Sequence, residues 1–345
     1  MYLMEMNIYK KYPVYACLII LLVLFPACSK NNFEPEPQYL PDWTEIKGKS
    51  ELNIFYDIYF LNDNFGLISG TSGTLLKTPD GGSTWQKMDV GTEISLFQTS
   101  GLDENTFAAA GNSQYVTTDR GNSFSEIISL DAGSISDVHF ITKHLWYGAG
   151  GNRVYKTMDG GINWDLIYSP SLNLYRMHFT SANTFYVFGG AHWNSWIDSG
   201  EIDSDGFLSK TTDGGDNWVE FQDSIIISTE LLGVSFINDN VGYMTNLSHE
   251  IYKTTDGGYN WTYINSPDFY TSKMLFINEQ TGYCPSRKKL YKTIDGGVNW
   301  KVDLDLDSLQ SSTIRKVIKT ENYMYVLDLI GRVFKKSETI HDNNS

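Results

Sequence analysis

One eight-residue phrase, written six times, constrains this chain more than any other feature. Its clearest copy is Thr254-Thr255-Asp256-Gly257-Gly258-Tyr259-Asn260-Trp261. The others run from Thr78 to Trp85, Thr117 to Phe124, Thr157 to Trp164, Thr211 to Trp218 and Thr293 to Trp300. All read Thr-x-Asp-x-Gly-x-x-(Trp/Phe), and five carry Lys directly before the Thr (Lys77, Lys156, Lys210, Lys253 and Lys292). The aspartates Asp80, Asp119, Asp159, Asp213, Asp256 and Asp295 are separated by 39, 40, 54, 43 and 39 residues. A period of that length is one supersecondary unit copied into an array.

A short β-rich run precedes each copy, such as Leu75-Leu76-Lys77 or Leu290-Tyr291-Lys292, and another follows it, such as Trp300-Lys301-Val302. Strand, Asp-Gly-Gly turn, strand is a hairpin. Gly supplies the positive φ of the turn, and Asp accepts hydrogen bonds from nearby backbone N–H groups. The closing Trp opens the outgoing strand with a large apolar area to bury. Upstream lies a second recurring unit: Phe60 to Leu67, Phe236 to Tyr243 and Phe276 to Tyr283. It reads as a strand ending in Phe, a polar turn, and a strand opening with Gly and an aromatic or apolar residue. Each repeat therefore holds four strands, A to D. Four-stranded units at this period predict an all-β fold, a β-propeller of antiparallel blades.

The ends of the chain complement each other. Trp43-Thr44-Glu45-Ile46 matches the strand that follows each box, yet no box precedes it. Arg332 to Glu338 matches strand C and a decayed box with no Trp after it. The N-terminal strand is therefore expected to complete a seventh blade and close the ring, leaving no open sheet edge. Two blades deviate. The second box has Arg120 and Phe124 where the others have Gly and Trp, and blade 4 carries a long insertion from Gly189 to Gly206 between strands B and C.

The repeated residues are those of the Asp-box, or BNR, repeat. Together with the Phe-x-Asn-x-x-x-Gly-Tyr turn they resemble the photosystem II assembly-factor family of seven-bladed propellers and its non-photosynthetic relatives, over roughly residues 40 to 338. The same box occurs in sialidases and sortilin-type receptors, so it speaks to fold more than to function. The resemblance implies a scaffold or assembly role, carried by basic residues on the binding face.

The N-terminus reads as a targeting segment. Lys10 and Lys11 precede an apolar run from Val14 to Phe25, then Pro26-Ala27-Cys28-Ser29. A basic start, a short apolar region and a small residue before Cys predict a lipoprotein signal over residues 1–27, with Cys28 acylated, although Phe25 and Pro26 depart from the usual pattern. A spanning anchor is the alternative, for which the run is short. Residues 28–41, with Pro35, Pro37 and Pro41, read as a tether, 42–338 as the propeller and 339–345 as a tail. The expected location is the outer membrane, facing the periplasm or the cell surface, as a monomer. Without residues 1–27 the chain has 24 basic and 40 acidic residues, a charge of −16. That balance argues against nucleic acid and anionic membrane surfaces as partners. Cys284 sits in a strand, where a buried, inert thiol is expected.

The box aspartates belong to C–D turns on the outer rim, so they are read as structural, neither catalytic nor metal-ligating. In a propeller the D–A and B–C links share the other face, and strand A lines the channel. Three residues before each strand-A Phe stand Asp57, Asp137, Arg176, Gly233 and Lys273, with Gln98 and Arg315 in blades 2 and 7 at a register open by one residue. A polar ring follows, basic on blades 4, 6 and 7 and acidic on blades 1 and 3, either to bind or to satisfy itself. Arg153 and Arg287 fall in B–C links. The insertion offers His192, Trp193 and Trp196 for protein contact or sugar stacking, with Asp198, Glu201, Asp203 and Asp205 beside them. The Asp203-to-Gly206 run lacks the spacing of a calcium loop. The histidines have no metal spacing, and no nucleophile elbow, P-loop or dinucleotide fingerprint occurs, so no cofactor is implied.

Two functions fit these residues. The first is a lipid-anchored, non-enzymatic propeller that binds an envelope protein or glycan. The second is a glycoside hydrolase. A sialidase needs an arginine triad and a Tyr–Glu pair, and most other glycosidases need two facing carboxylates. The Arg-Ile-Pro segment that opens sialidase propellers is absent before Asp57. Inverting Asp-box glycosidases use two clasped propellers, and this chain has room for one.

Overall fold

A computed structural model describes residues 42–48, 50, 53–111, 113–127, 137–190, 205–221, 229–271, 273–309 and 313–338. The signal segment, Cys28, the tether, the tail, and His192, Trp193 and Trp196 of the insertion lie outside the described residues.

Those residues form seven four-stranded antiparallel sheets and no helix. Blade 1 is β2 (Phe55–Phe60), β3 (Gly66–Gly70), β4 (Leu75–Thr78) and β5 (Gln86–Met88). Blade 2 is β6 (Gln98–Gly101), β7 (Phe107–Ala110), β8 (Gln114–Thr117) and β9 (Ser125–Ile127). Blade 3 is β10 (Asp137–Phe140), β11 (Trp146–Gly150), β12 (Arg153–Thr157) and β13 (Asp165–Tyr168). Blade 4 is β14 (Asn173–Phe179), β15 (Phe185–Gly190), β16 (Gly206–Thr211) and β17 (Val219–Glu220). Blade 5 is β18 (Leu231–Phe236), β19 (Gly242–Asn246), β20 (Ile251–Thr254) and β21 (Thr262–Asn265). Blade 6 is β22 (Leu275–Phe276), β23 (Gly282–Ser286), β24 (Lys289–Thr293) and β25 (Lys301–Asp305). Blade 7 is β26 (Ile314–Lys319), β27 (Tyr323–Asp328) and β28 (Val333–Ser337), completed by β1 (Thr44–Lys47).

The closure is the one the chain ends predict. β1 pairs antiparallel with β28, Thr44 opposite Lys335. Trp43 is 4% exposed within a cluster shared by blades 6 and 7, and its Nε1 donates to Asp303 Oδ2 at 2.9 Å. A ring closed by pairing N- and C-terminal strands leaves no gap between first and last blades.

The Phe-x-Asn-x-x-x-Gly-Tyr unit turns out to be an inter-blade device. Asn238 Oδ1 accepts the N–H groups of Asn240 and Val241, which forms the A–B turn; Asn62 and Asn278 do the same in their blades. The Phe ring then lies over its own Gly: a Cβ on Gly242 would stand 2.5 Å from Phe236, and one on Gly282 2.7 Å from Phe276. The ring's other face stacks on the strand-B Tyr of the preceding blade. Phe236 meets Tyr186 at 3.7 Å, Phe276 meets Tyr243 at 3.5 Å and Phe60 meets Tyr325 at 3.9 Å. Such pairs contribute about 0.5–1.5 kcal/mol beyond area burial. All three tyrosines are fully buried.

Candidate functional site

The two faces of the ring are defined by backbone hydrogen bonds. On one face the box turn of each blade donates to its own A–B turn, as Gly81 N to Asn64 O and Gly257 N to Asn240 O, both at 2.7 Å. On the other, B–C turns join D–A links, as in Leu174 N to Gly151 O and Ile314 N to Arg287 O.

On the first face every box aspartate is committed to its own turn. In blade 5, Thr254 Oγ1 donates to Asp256 Oδ1 at 2.8 Å and accepts Gly258 N at 3.0 Å. Asn260 donates its N–H to Oδ1 at 2.9 Å and its Nδ2 to Oδ2 at 2.6 Å. Trp261 Nε1 closes the turn on Gly258 O at 3.0 Å. Asp80, Asp119, Asp159, Asp213 and Asp295 repeat the arrangement. Hydrogen bonds to the charged form, from Ser123 in one case and Asn163 and Asn217 in the others, hold Asp119, Asp159 and Asp213 down to about 2.

The Lys before each box has a role that spacing alone does not reveal. In blades 3 to 6 it lies over the strand-B Tyr of its own blade, and both reach the next blade; in blade 1, Leu67 takes the Tyr place. Lys210 Nζ sits 5.0 Å from the Tyr186 ring, and both donate to Asp239 O and Gly257 O of blade 5. Lys156 and Tyr147 both meet Gly214 O, and Lys292 and Tyr283 both meet Glu338 Oε1. In blade 2, Ala108 and Val116 take the two places, and the seam with blade 3 is apolar instead.

The channel is organised by β-bulges. Strand A of blades 1, 4, 5 and 7 carries one extra residue, at Tyr56, Tyr175, Leu232 and Arg315, between the pairings on either side. A bulge shifts every later side chain by one position. The blade 7 channel position therefore belongs to Lys316, correcting the sequence register, and Arg315 is the bulged residue. Its guanidinium lies 5.6 Å from the Tyr56 ring, and its Nε is buried without a hydrogen-bond partner.

Asp57, Gln98, Asp137, Arg176, Gly233, Lys273 and Lys316 then occupy the ring positions. Its carboxylates are satisfied internally. Asp57 Oδ1 accepts Lys316 Nζ at 2.6 Å, and its Oδ2 accepts Thr99 N at 3.0 Å. Asp137 accepts Gln98 Nε2 on one oxygen and Met177 N on the other at 3.1 Å, and burial pushes its carboxyl up. Arg176 and Lys273 have no salt bridge among the described residues. They flank Gly233, which cannot bear a side chain: a Cβ there would stand 2.9 Å from Lys273 N. The gap is a cavity of about 360 Å³ lined by Arg176, Gly233, Lys273 and Lys316, with His178 and Tyr59 further along. Lys273 is pushed down to about 7, by burial and then by repulsion from Arg176, Arg315 and Lys316, with Asp57 opposing. His178 accepts Phe236 N at 2.9 Å and burial lowers it.

The other sequence candidates do not join this cluster. Arg153 begins β12, with Nη1 3.4 Å from Tyr155 Oη. Arg287 lies in the blade 6 B–C turn, at φ +53°, beside a separate groove. Lys316 is the site residue that sequence reasoning missed; the bulge that exposes it leaves no mark in composition or spacing.

Seven closed blades with the box on six of them define an Asp-box (BNR) repeat β-propeller. Within that class the chain is similar to the photosystem II assembly factor-like family. The family model described as photosynthesis system II assembly factor YCF48 matches residues 37–131. Photosystem II assembly lipoprotein Ycf48 of Nostoc sp. is 23% identical over 209 residues, 56% of this chain and 60% of that protein. The match thus spans less than two thirds of that relative's length. Among solved structures, YCF48 bound to D1 peptide aligns with a TM-score of 0.70 at 19% identity, covering 86% of this chain and 97% of that one. YCF48 from Cyanidioschyzon merolae gives 0.68 at 18%, covering 86% and 98%. An ancestral GH74 enzyme gives 0.64 at 15%, covering 88% of this chain and 47% of that one. At these identities the structural likenesses establish the fold.

Proposed function

We propose that the chain is a non-enzymatic, lipid-anchored propeller of the cell envelope whose channel receives a carboxylate-bearing segment of a protein partner. One observation carries this reading: Arg176 and Lys273 flank the gap at Gly233 with no carboxylate of their own. Two cations beside a cavity of about 360 Å³, Arg176 on β14 and Lys273 just before β22, suit one anionic group with directed donors. The channel carboxylates Asp57 and Asp137 are buried and engaged, which suits a support for that cluster better than a pair acting on a sugar. A similar propeller has been solved bound to a D1 peptide, and this supports a protein ligand.

Arrayed C-terminal peptides of the cell's envelope proteins, as free acids and as amides, test the reading on residues 29–345. The free acid of a bound peptide should bind more tightly, and Arg176→Ala should cost about tenfold in affinity with melting temperature unchanged. Equal binding of acid and amide, or an unaffected Arg176→Ala, would refute the channel as the site. For the anchor, Cys28→Ser should abolish palmitate labelling; a variant that still labels would refute acylation at Cys28.

A further inference from the structure

We infer that the groove between blades 5 and 6 is a second ligand site, separate from the channel, and that it takes a neutral oligosaccharide. The first observation is conformational. The B–C turns of blades 3 and 7 place Gly151 and Gly331 at positive φ, where glycine is free of strain, and that of blade 1 holds Gly73 beside Ser72 at φ +52°. At the corresponding turn positions blades 5 and 6 hold His249 at φ +64° and Arg287 at φ +53°. Both line the same cavity, of about 900 Å³. Non-glycine residues in this conformation are strained, and such strain concentrates at ligand-contacting positions.

The second observation is the set of groups left unengaged. Lys289 bridges Asp305 at 3.1 Å and Asp307 at 3.0 Å. Lys288 Nζ donates to Asp307 O and Leu309 O. By contrast, the Arg287 guanidinium and the Asp268 carboxylate have no hydrogen bond or ion pair among the described residues. His249 Nδ1 accepts Thr271 N at 3.4 Å, which leaves Nε2–H as a donor. The groove thus offers donors and acceptors of both signs. A phosphate or an acidic peptide would meet Asp268 and Asp307, and a cation would meet Arg287.

The third is the aromatic surface. Phe269 stacks on Tyr291 at 3.8 Å, and Tyr270, held edge-on by His249 at 4.7 Å, remains 43% exposed. A pyranose ring presents apolar C–H faces to an aromatic surface and a rim of hydroxyls that donate and accept. That matches the mixed set here. The Arg287 fork and the Asp268 carboxylate can each engage two neighbouring hydroxyls.

Calorimetric titration of residues 29–345 with cellohexaose, chitohexaose and maltohexaose tests the assignment. At least one should bind, and Tyr270→Ala and Arg287→Gly should each weaken it about tenfold or more. Arg287→Gly should also raise the melting temperature by about 2 °C, because glycine relieves the turn; that separates lost contact from lost fold. Arg176→Ala should leave saccharide binding intact, so this site and the channel succeed or fail independently. Failure of all three saccharides, undiminished binding by the two groove variants, or a lowered melting temperature for Arg287→Gly would overturn the proposal. So would an acidic peptide that displaces the sugar from the groove.

Discussion

The two faces of the ring treat the same side-chain chemistry in opposite ways. On the box face, the aspartates accept hydrogen bonds within their own turns, and the lysines of blades 3 to 7 reach a neighbouring blade. On the channel face, the side chains of Arg176, Lys273, Arg287 and Asp268 have no hydrogen bond or ion pair among the described residues. The first face repeats because its groups serve the blade. The second varies because its groups are released from that duty. Charge count is therefore a poor guide to function here, and engagement is a good one.

The largest test of this contrast is the closing strand, which both faces need. Trp43→Ala should cost about 3–5 kcal/mol, the range for a buried aromatic, and deleting residues 42–47 should cost more by opening the sheet edge. Urea melts that matched the parent would mean that closure does not depend on β1.

A smaller effect distinguishes the faces directly. Asp256→Ala removes the acceptor for Thr254 and Asn260 and should weaken the fold by about 1 kcal/mol, with peptide affinity unchanged. Arg176→Ala should do the reverse. A box variant that lost binding at full stability would invert the assignment of faces.

The smallest effect is a pH dependence. Lys273, held down to about 7, gains its charge as pH falls from 8 to 6. Over that window a carboxylate ligand stays ionised, so its affinity should rise about threefold, and Lys273→Met should flatten the profile. The charged groups acting on Lys273 are Arg176, Arg315, Lys316 and Asp57. The half-buried histidines His139 and His178 are both shifted down, His139 to about 4, and do not mimic the step. A flat wild-type profile would remove Lys273 from the contact.

Much of the fold was legible because its determinants are local. A box hairpin is fixed by Thr, Asp, Gly and Trp within eight residues, so six copies announce six hairpins, and Trp43 with no box before it announces the closure. The Phe and Tyr of the second motif were legible as a turn but not as a stack, since their partners lie one blade away. The site was legible in kind and displaced in detail. The three-residue offset from strand-A Phe located Arg176, Gly233 and Lys273, whereas blade 7 ends its strand A in Lys319 and so offers no Phe from which to count. A single bulge residue then decides whether Arg315 or Lys316 faces the channel. By itself the sequence determined the repeat, the blade and the closing strand, because hydrogen bonds within a hairpin are settled over a few residues. Only the tertiary structure decided which charges are engaged and which are left for a partner, because that depends on groups brought together from different blades.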